Sequence, residues 1–204
     1  MTRIALTFLN ILVLTAMVSA APINFDFKDP KGVNNVIFKT DAPLESINGV
    51  ANGITGHVAF DPENPAATSG KIVVAANTMH VGNPTMKEHL HGQMWMDVAK
   101  FPEITFELSS LKNVKTDANV TTADANGKLT IKGVTKEITT PVKLTYLKDK
   151  LQQRVPGKKG DLLVVRSNFT IKRGDFGINA AKMEDKVSNE IELSLSVAGT
   201  APTK

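Results

Sequence analysis

Val187-Ser188-Asn189-Glu190-Ile191-Glu192-Leu193-Ser194-Leu195-Ser196-Val197 repeats with a period of two. Val187, Asn189, Ile191, Leu193, Leu195 and Val197 share one face, while Ser188, Glu190, Glu192, Ser194 and Ser196 share the other. Successive side chains of a strand point to opposite sides of its sheet, so this segment is a strand with one apolar and one wet face. Parallel sheets, covered on both sides, read instead as continuous apolar runs. The fold decided here is antiparallel.

The same alternation recurs upstream. Ile138, Thr140, Val142, Leu144 and Tyr146 form one row, as do Leu129 with Ile131, and Ile104 with Phe106 and Leu108. Leu163, Val165, Phe169 and Ile171 form another, and Val50, Ile54, Val58 and Phe60 have matching parity. Turn chemistry separates the runs: Asp61-Pro62 through Gly70, Asp124 to Gly127, the tight corner Lys132-Gly133, and Pro156-Gly157 with Gly160. Pro141 inside an alternating run points to an edge or a bulge, because proline cannot donate to a ladder. The spacing gives about eight strands of an all-β sandwich or barrel. There is no internal repeat, and the loose Ala/Asn/Thr/Asp stretch at 116–127 is the only compositional oddity.

One segment breaks the pattern. Pro84 suits a first helical turn, and Met86, Leu90 and Met94 follow at helical spacing, with Gly92 ending the first helical piece. On an all-β body the natural partner for that stripe is the open end of a barrel. Met86, Leu90, Met94 and Trp95 would then form a lid or plug over an apolar interior. A helix packed on the outside of the body is the alternative.

The amino terminus reads as an address. Arg3 supplies a basic start, Ile4 to Val18 is mostly apolar, and Val18-Ser19-Ala20 offers small side chains for a signal peptidase. The apolar run is shorter than the ~20 residues a membrane span needs, so a stable anchor is not expected. Residues 1–20 are therefore expected to be removed, leaving 21–204 as a single domain exported to the periplasm. Loss of Arg3 would leave 23 basic residues against 20 acidic, a charge of +3. So small a surplus gives no ground for nucleic acid as a partner.

The chain has no cysteine, which removes disulfide frameworks, thiolate metal sites, cysteine nucleophiles and lipidation at cysteine. Four histidines, His57, His80, His89 and His91, are the only side chains suited to acid/base work or metal binding near neutral pH. His89 and His91 are two apart, on different faces of a helix but one face of a strand, and no HExxH motif accompanies them. Asp175-Phe176-Gly177 spells the magnesium tripeptide of protein kinases without any phosphate loop or catalytic loop to serve it. Arg173-Gly174-Asp175 spells an adhesion tripeptide within strand-like sequence. Asn119-Val120-Thr121 and Asn168-Phe169-Thr170 are glycosylation sequons, meaningful only in a eukaryotic secretory pathway. No catalytic constellation emerges, and no cofactor is implied.

An apolar interior without chemistry points to binding. Small barrels fill their inside with side chains or keep a cavity for a ligand. About 184 residues is long for a filled eight-stranded barrel, and a ligand of many methylenes needs little polar recognition. The wall residues indicated by parity are Phe60, Leu90, Met94, Trp95, Phe106, Phe169 and Phe176. A histidine-dependent metal protein or enzyme, and a filled barrel serving as a stress or interaction module, are the competing readings.

Three segments together resemble the YceI-like family of exported bacterial proteins. They are Gly56-His57-Val58-Ala59-Phe60-Asp61-Pro62; Lys87-Glu88-His89-Leu90 continuing through Met96-Asp97-Val98-Ala99-Lys100-Phe101-Pro102-Glu103-Ile104-Thr105-Phe106; and Leu129-Thr130-Ile131-Lys132-Gly133-Val134-Thr135-Lys136, with Asp175-Phe176-Gly177-Ile178 further on. Two departures are visible: Glu137 follows Lys136 where the family often has proline, and Gln93-Met94-Trp95-Met96 stands where an aromatic pair is usual. The resemblance implies a lipocalin-like antiparallel β-barrel of about eight strands with one short helix as lid or plug. Its ligand would be a polyisoprenoid, an isoprenoid quinone or a similar amphiphilic lipid. Oligomeric state is left open by the sequence.

Overall fold

The computed structural model describes residues 21–203, and the export signal expected at 1–20 lies outside the described residues. Eleven strands occur in chain order: β1 (Ile23–Asp26), β2 (Asn35–Asp41), β3 (Ser46–Ala51), β4 (Ile54–Phe60), β5 (Ser69–Ala75), β6 (His80–Val81), β7 (Glu103–Asp117), β8 (Val120–Ile131), β9 (Val134–Leu147), β10 (Gly160–Lys172) and β11 (Glu190–Pro202). Helix α1 (Pro84–His91) follows β6, and the single turn α2 (Leu151–Arg154) follows β9. All pairings are antiparallel.

Eleven strands make eight barrel staves because the first three staves are kinked. β1 continues into β2, β3 into β4, and β5 into β6; β1 pairs with β4 while β2 pairs with β3, and β6 extends the row on β3. β11 then pairs with β10 along one edge and with β2 and β1 along the other. The result is a closed up-and-down barrel with no free edge at its seam. The eight strands expected from spacing are these eight staves.

Local chemistry explains the kinks. Gly53, between β3 and β4, sits against the bend of the next stave: its N–H donates to Thr78 Oγ1 at 3.1 Å and its carbonyl accepts from Ala75 N at 2.9 Å. A Cβ there would lie 2.6 Å from Thr78 Cγ2, so only glycine fits. The break also shifts parity by one residue. Ala51, not Val50, lines the interior with Val58, which corrects the matching parity read for Val50. Gly49 serves a different purpose: it lies opposite Phe38, whose ring occupies the space a Cβ would need.

Two other readings change. Asp124 to Gly127 is not a turn but the middle of β8, and the chain reverses instead at Ala118-Asn119. The inward side chains here are small: Ala123 and Ala125 are buried, and the Phe106 ring covers Gly127. A strand with Ala and Gly on its inner face reads locally as a loop. Pro141 is inside β9 where the ladder to β10 ends, since β9–β10 pairing runs only from Leu147↔Leu162 to Val142↔Ser167. Lys132-Gly133 is the tight corner expected, a two-residue hairpin with φ of 49° and 76° that fits a type I′ turn.

The lower end of the barrel is packed shut. Phe25, Phe27, Phe60 and Leu163 are buried there, and the Tyr146 ring meets Phe25 edge-on at 6.2 Å and Phe60 at 6.0 Å. Tyr146 donates its hydroxyl to Asp161 at 2.7 Å. Below this floor, Arg154 bridges Asp29 at 2.9 Å and Asn34 Oδ1 at 3.1 Å, tying α2 to the chain between β1 and β2. Burial alone would raise the Asp29 pKa, but the N–H groups of Asn34, Lys31 and Val33 and the Arg154 guanidinium outweigh it and hold the carboxyl below its ordinary 3.8.

Candidate functional site: an apolar cavity under a helical lid

Above that floor the barrel is hollow, with a cavity of about 550 Å³. This is within the range of small-molecule sites, and it removes the filled-barrel reading. The staves build its wall by alternation. Val36 and Phe38 come from β2, Ile72 and Val74 from β5, and Leu193 and Leu195 from β11. Cross-strand partners place these side chains in layers: Phe38 is opposite Leu193, which is opposite Phe169. Most lining side chains are aliphatic or aromatic, with polar ones such as Glu45, Asn83, His89 and Lys186 interspersed among them, so the cavity offers mainly apolar burial.

Helix α1 closes the upper end. Asn83 caps it, its side-chain oxygen accepting from Met86 N at 3.0 Å, and Pro84 opens the first turn. Met86 and Leu90 face the cavity, and the chain beyond Gly92 folds under the helix to add Trp95 and Met96. The interior placement of the helix therefore holds, and the outside-packed alternative does not. Lys132 Nζ fixes this lid loop to the β8–β9 corner by donating to Gln93 O at 3.0 Å.

Arg173 braces the other side of the mouth. It is 2% exposed and borders the cavity, with its guanidinium carbon 5.5 Å from the centre of the Trp95 ring. Its five N–H groups are spent on backbone carbonyls: Nε donates to Ser188 O at 3.0 Å, Nη1 to Ile178 O at 2.9 Å and to Asn179 O, and Nη2 to Lys182 O at 2.6 Å and Val187 O at 2.9 Å. Burial pulls its pKa down and Glu184 pushes it back. The cation holds the 178–188 loop in place across the rim, and the Leu44 N–H donates to Asp185 O at 2.9 Å to join that loop to the β2–β3 turn.

Of the seven wall residues named from the sequence, Leu90, Trp95, Phe106 and Phe169 line the cavity together. The other three lie elsewhere. Phe60 is buried in the floor beneath, and Phe176 is buried in the turn after β10, outside the wall. Met94 is 64% exposed, because the helix ends at His91 and the helical spacing that grouped Met94 with Leu90 no longer applies. Leu193 and Leu195 were legible as alternating residues, Phe38 stood in none of the rows read from the sequence, and Arg173 stood out there only as part of the Arg173-Gly174-Asp175 tripeptide. Among the histidines, His89 borders the cavity and His91 Nε2 is 2.8 Å from Met79 O. Among the described residues no three His, Asp or Glu side chains converge as a metal site, and no helix is long and apolar enough to cross a membrane.

Comparison with known proteins follows the same lines. A UPF0312 protein of Yersinia pestis is 34% identical over 151 residues, covering 74% of this chain and 72% of the relative. A UPF0312 protein of Pseudomonas paraeruginosa is also 34% identical, over 152 residues and the same shares. Solved structures share the fold. BcnA of Burkholderia cenocepacia matches with TM-score 0.65 at 21% identity, over 81% of this chain and 95% of that one. A polyisoprenoid binding domain from Saccharophagus degradans matches with TM-score 0.60 at 12% identity, over 89% and 99%. Residues 29–198 match the YceI-like domain, and with relatives this similar the chain belongs to the YceI-like family.

Proposed function

We propose that this chain is a non-enzymatic carrier that holds a polyisoprenoid, or a similar long-chain amphiphilic lipid such as an isoprenoid quinone, inside its barrel. It would act in the periplasm after loss of residues 1–20. The observation that carries this reading is the closed-bottomed apolar cavity of about 550 Å³ under a helical lid. Each methylene moved from water into such a space contributes about 0.8 kcal/mol. Ten of them would supply ~8 kcal/mol before the cost of association, enough for useful affinity without any charged recognition. The polyisoprenoid-binding domain that shares this fold supports the choice of ligand class.

Organic extraction of the natively produced protein, followed by mass spectrometry, tests the proposal. A long-chain lipid is expected at close to one per chain. Trp95, the lone tryptophan and a wall residue, should be quenched by an added isoprenoid quinone. Repeated extraction of no lipid, together with an unquenched Trp95, would overturn the reading.

A further inference from the structure

Four buried hydroxyl residues, Thr40, Thr68, Thr140 and Ser167, line the wall, and two of them lie side by side as a polar step where two staves part. Thr140 on β9 and Ser167 on β10 both line the cavity and are only 5% and 6% exposed. Their hydroxyl oxygens are 2.8 Å apart. The position is deep. Leu144 and Val165 form the next inward pair toward the floor, and four residues of strand, about 13 Å, separate Ser167 from Ile171 near the rim.

The direction of every proton in this step follows from its partners. Ser167 Oγ is 2.7 Å from Pro141 O, and a carbonyl can only accept. Ser167 therefore spends its single proton on Pro141. Thr140 Oγ1 is 2.8 Å from Ser167 Oγ and 3.5 Å from Pro141 O, so its proton goes to the nearer acceptor, Ser167, which has no second proton to give. The chain runs Thr140 to Ser167 to Pro141 O, and both hydroxyl protons are consumed within the wall. What remains on Thr140 Oγ1 is lone pairs, in an otherwise apolar stretch of the interior. Valine has the same shape as threonine and would pack there without the cost of burying an oxygen.

We infer that the Thr140–Ser167 step is an acceptor subsite that reads a neutral hydrogen-bond donor on the ligand, a hydroxyl or a primary amide, and sets its depth in the barrel. An ester, ether or ketone oxygen has nothing to offer two hydroxyls whose protons are already committed. The donor end of the ligand would lie inward, with its chain running up to Leu90, Trp95 and Met96 under the lid. This inference rests on the carrier reading above, because it specifies which member of the lipid class the cavity prefers.

The test compares geranylgeraniol with its methyl ether, identical chains differing only in the donor, by titration of Trp95 fluorescence. The wild-type protein is expected to bind the alcohol about five-fold more tightly. Thr140→Val should remove most of that preference, the double change Thr140→Val with Ser167→Ala all of it, and Thr140→Ser should keep it. Thermal unfolding of each variant without ligand confirms that the barrel is intact. Equal affinity of the wild type for alcohol and ether would overturn the subsite while leaving the carrier reading standing. A preference that survives in the folded double variant would overturn it as well. Failure of both ligands to bind the wild type would overturn the carrier reading and the subsite with it.

Discussion

Arg173 shows how one side chain can organise a loop that has no regular structure of its own. The 178–188 segment is neither helix nor strand, so its carbonyls have no ladder to satisfy them, and the guanidinium gathers five of these bonds at one point. Hydrogen bonds to a charged group contribute more than neutral ones, and buried carbonyls left without partners are costly. Arg173→Leu should therefore lower stability to urea by about 3 kcal/mol and make the chain sensitive to trypsin at Lys182 and Lys186. Arg173→Lys should recover little of this, since an ammonium has three donors and no planar fork. A wild-type urea midpoint and an uncut loop in the leucine variant would contradict this account. The sequence singles Arg173 out only as part of an adhesion tripeptide, which says nothing of this role; the role depends on loop carbonyls that come together only in the folded barrel.

The hairpin β8–β9 carries a similar lesson about elements. Its corner was legible because Lys132-Gly133 is a two-residue link between alternating runs, and a type I′ turn demands positive φ at both positions. Gly133 is also close to Phe101: a Cβ would lie 2.6 Å from that ring, so the corner packs on the chain that leads from the lid into β7. Gly133→Val would combine backbone strain with that clash and should cost about 2 kcal/mol. It should also loosen the Lys132 contact to Gln93 O, which proton exchange in the lid loop would report as faster opening. Unchanged stability and exchange would show that the corner is not under this constraint. The strand interior was harder to read than its corner. Inward positions of β8 hold Ala123 and Ala125, and Gly127 is covered by Phe106, so the residues that make it a strand carry no local hydrophobic signal. The lid failed differently: helical periodicity placed Leu90 correctly but was extended past Gly92, where the chain turns and exposes Met94.

For the whole molecule, alternation reveals an apolar interior but not whether side chains fill it, because a packed core and an empty cavity need the same inward residues. The hollow arises from how the staves share their space. The three kinked staves put small or flexible residues such as Ala51 and Met79 on the wall, β8 adds Ala125, and the large rings of Phe25, Phe27 and Phe60 are withdrawn to the floor. If the cavity is kept for a ligand rather than for folding, filling it should separate the two. Val142 lines the cavity from β9, next to the Thr140–Ser167 step. Val142→Phe would place a ring in empty space, so the ligand-free barrel should unfold within about 1 kcal/mol of the wild type. A ligand that binds only the folded state raises stability by RT ln(1 + [L]/Kd), about 2.7 kcal/mol at a hundred times Kd. Wild-type protein should therefore gain several degrees in Tm on adding geranylgeraniol, and Val142→Phe should gain almost nothing at the same concentration. A variant that loses stability without ligand yet keeps the full shift would place the binding space elsewhere in the molecule. One that keeps both would mean that the region around Val142 is not where the chain of the ligand lies.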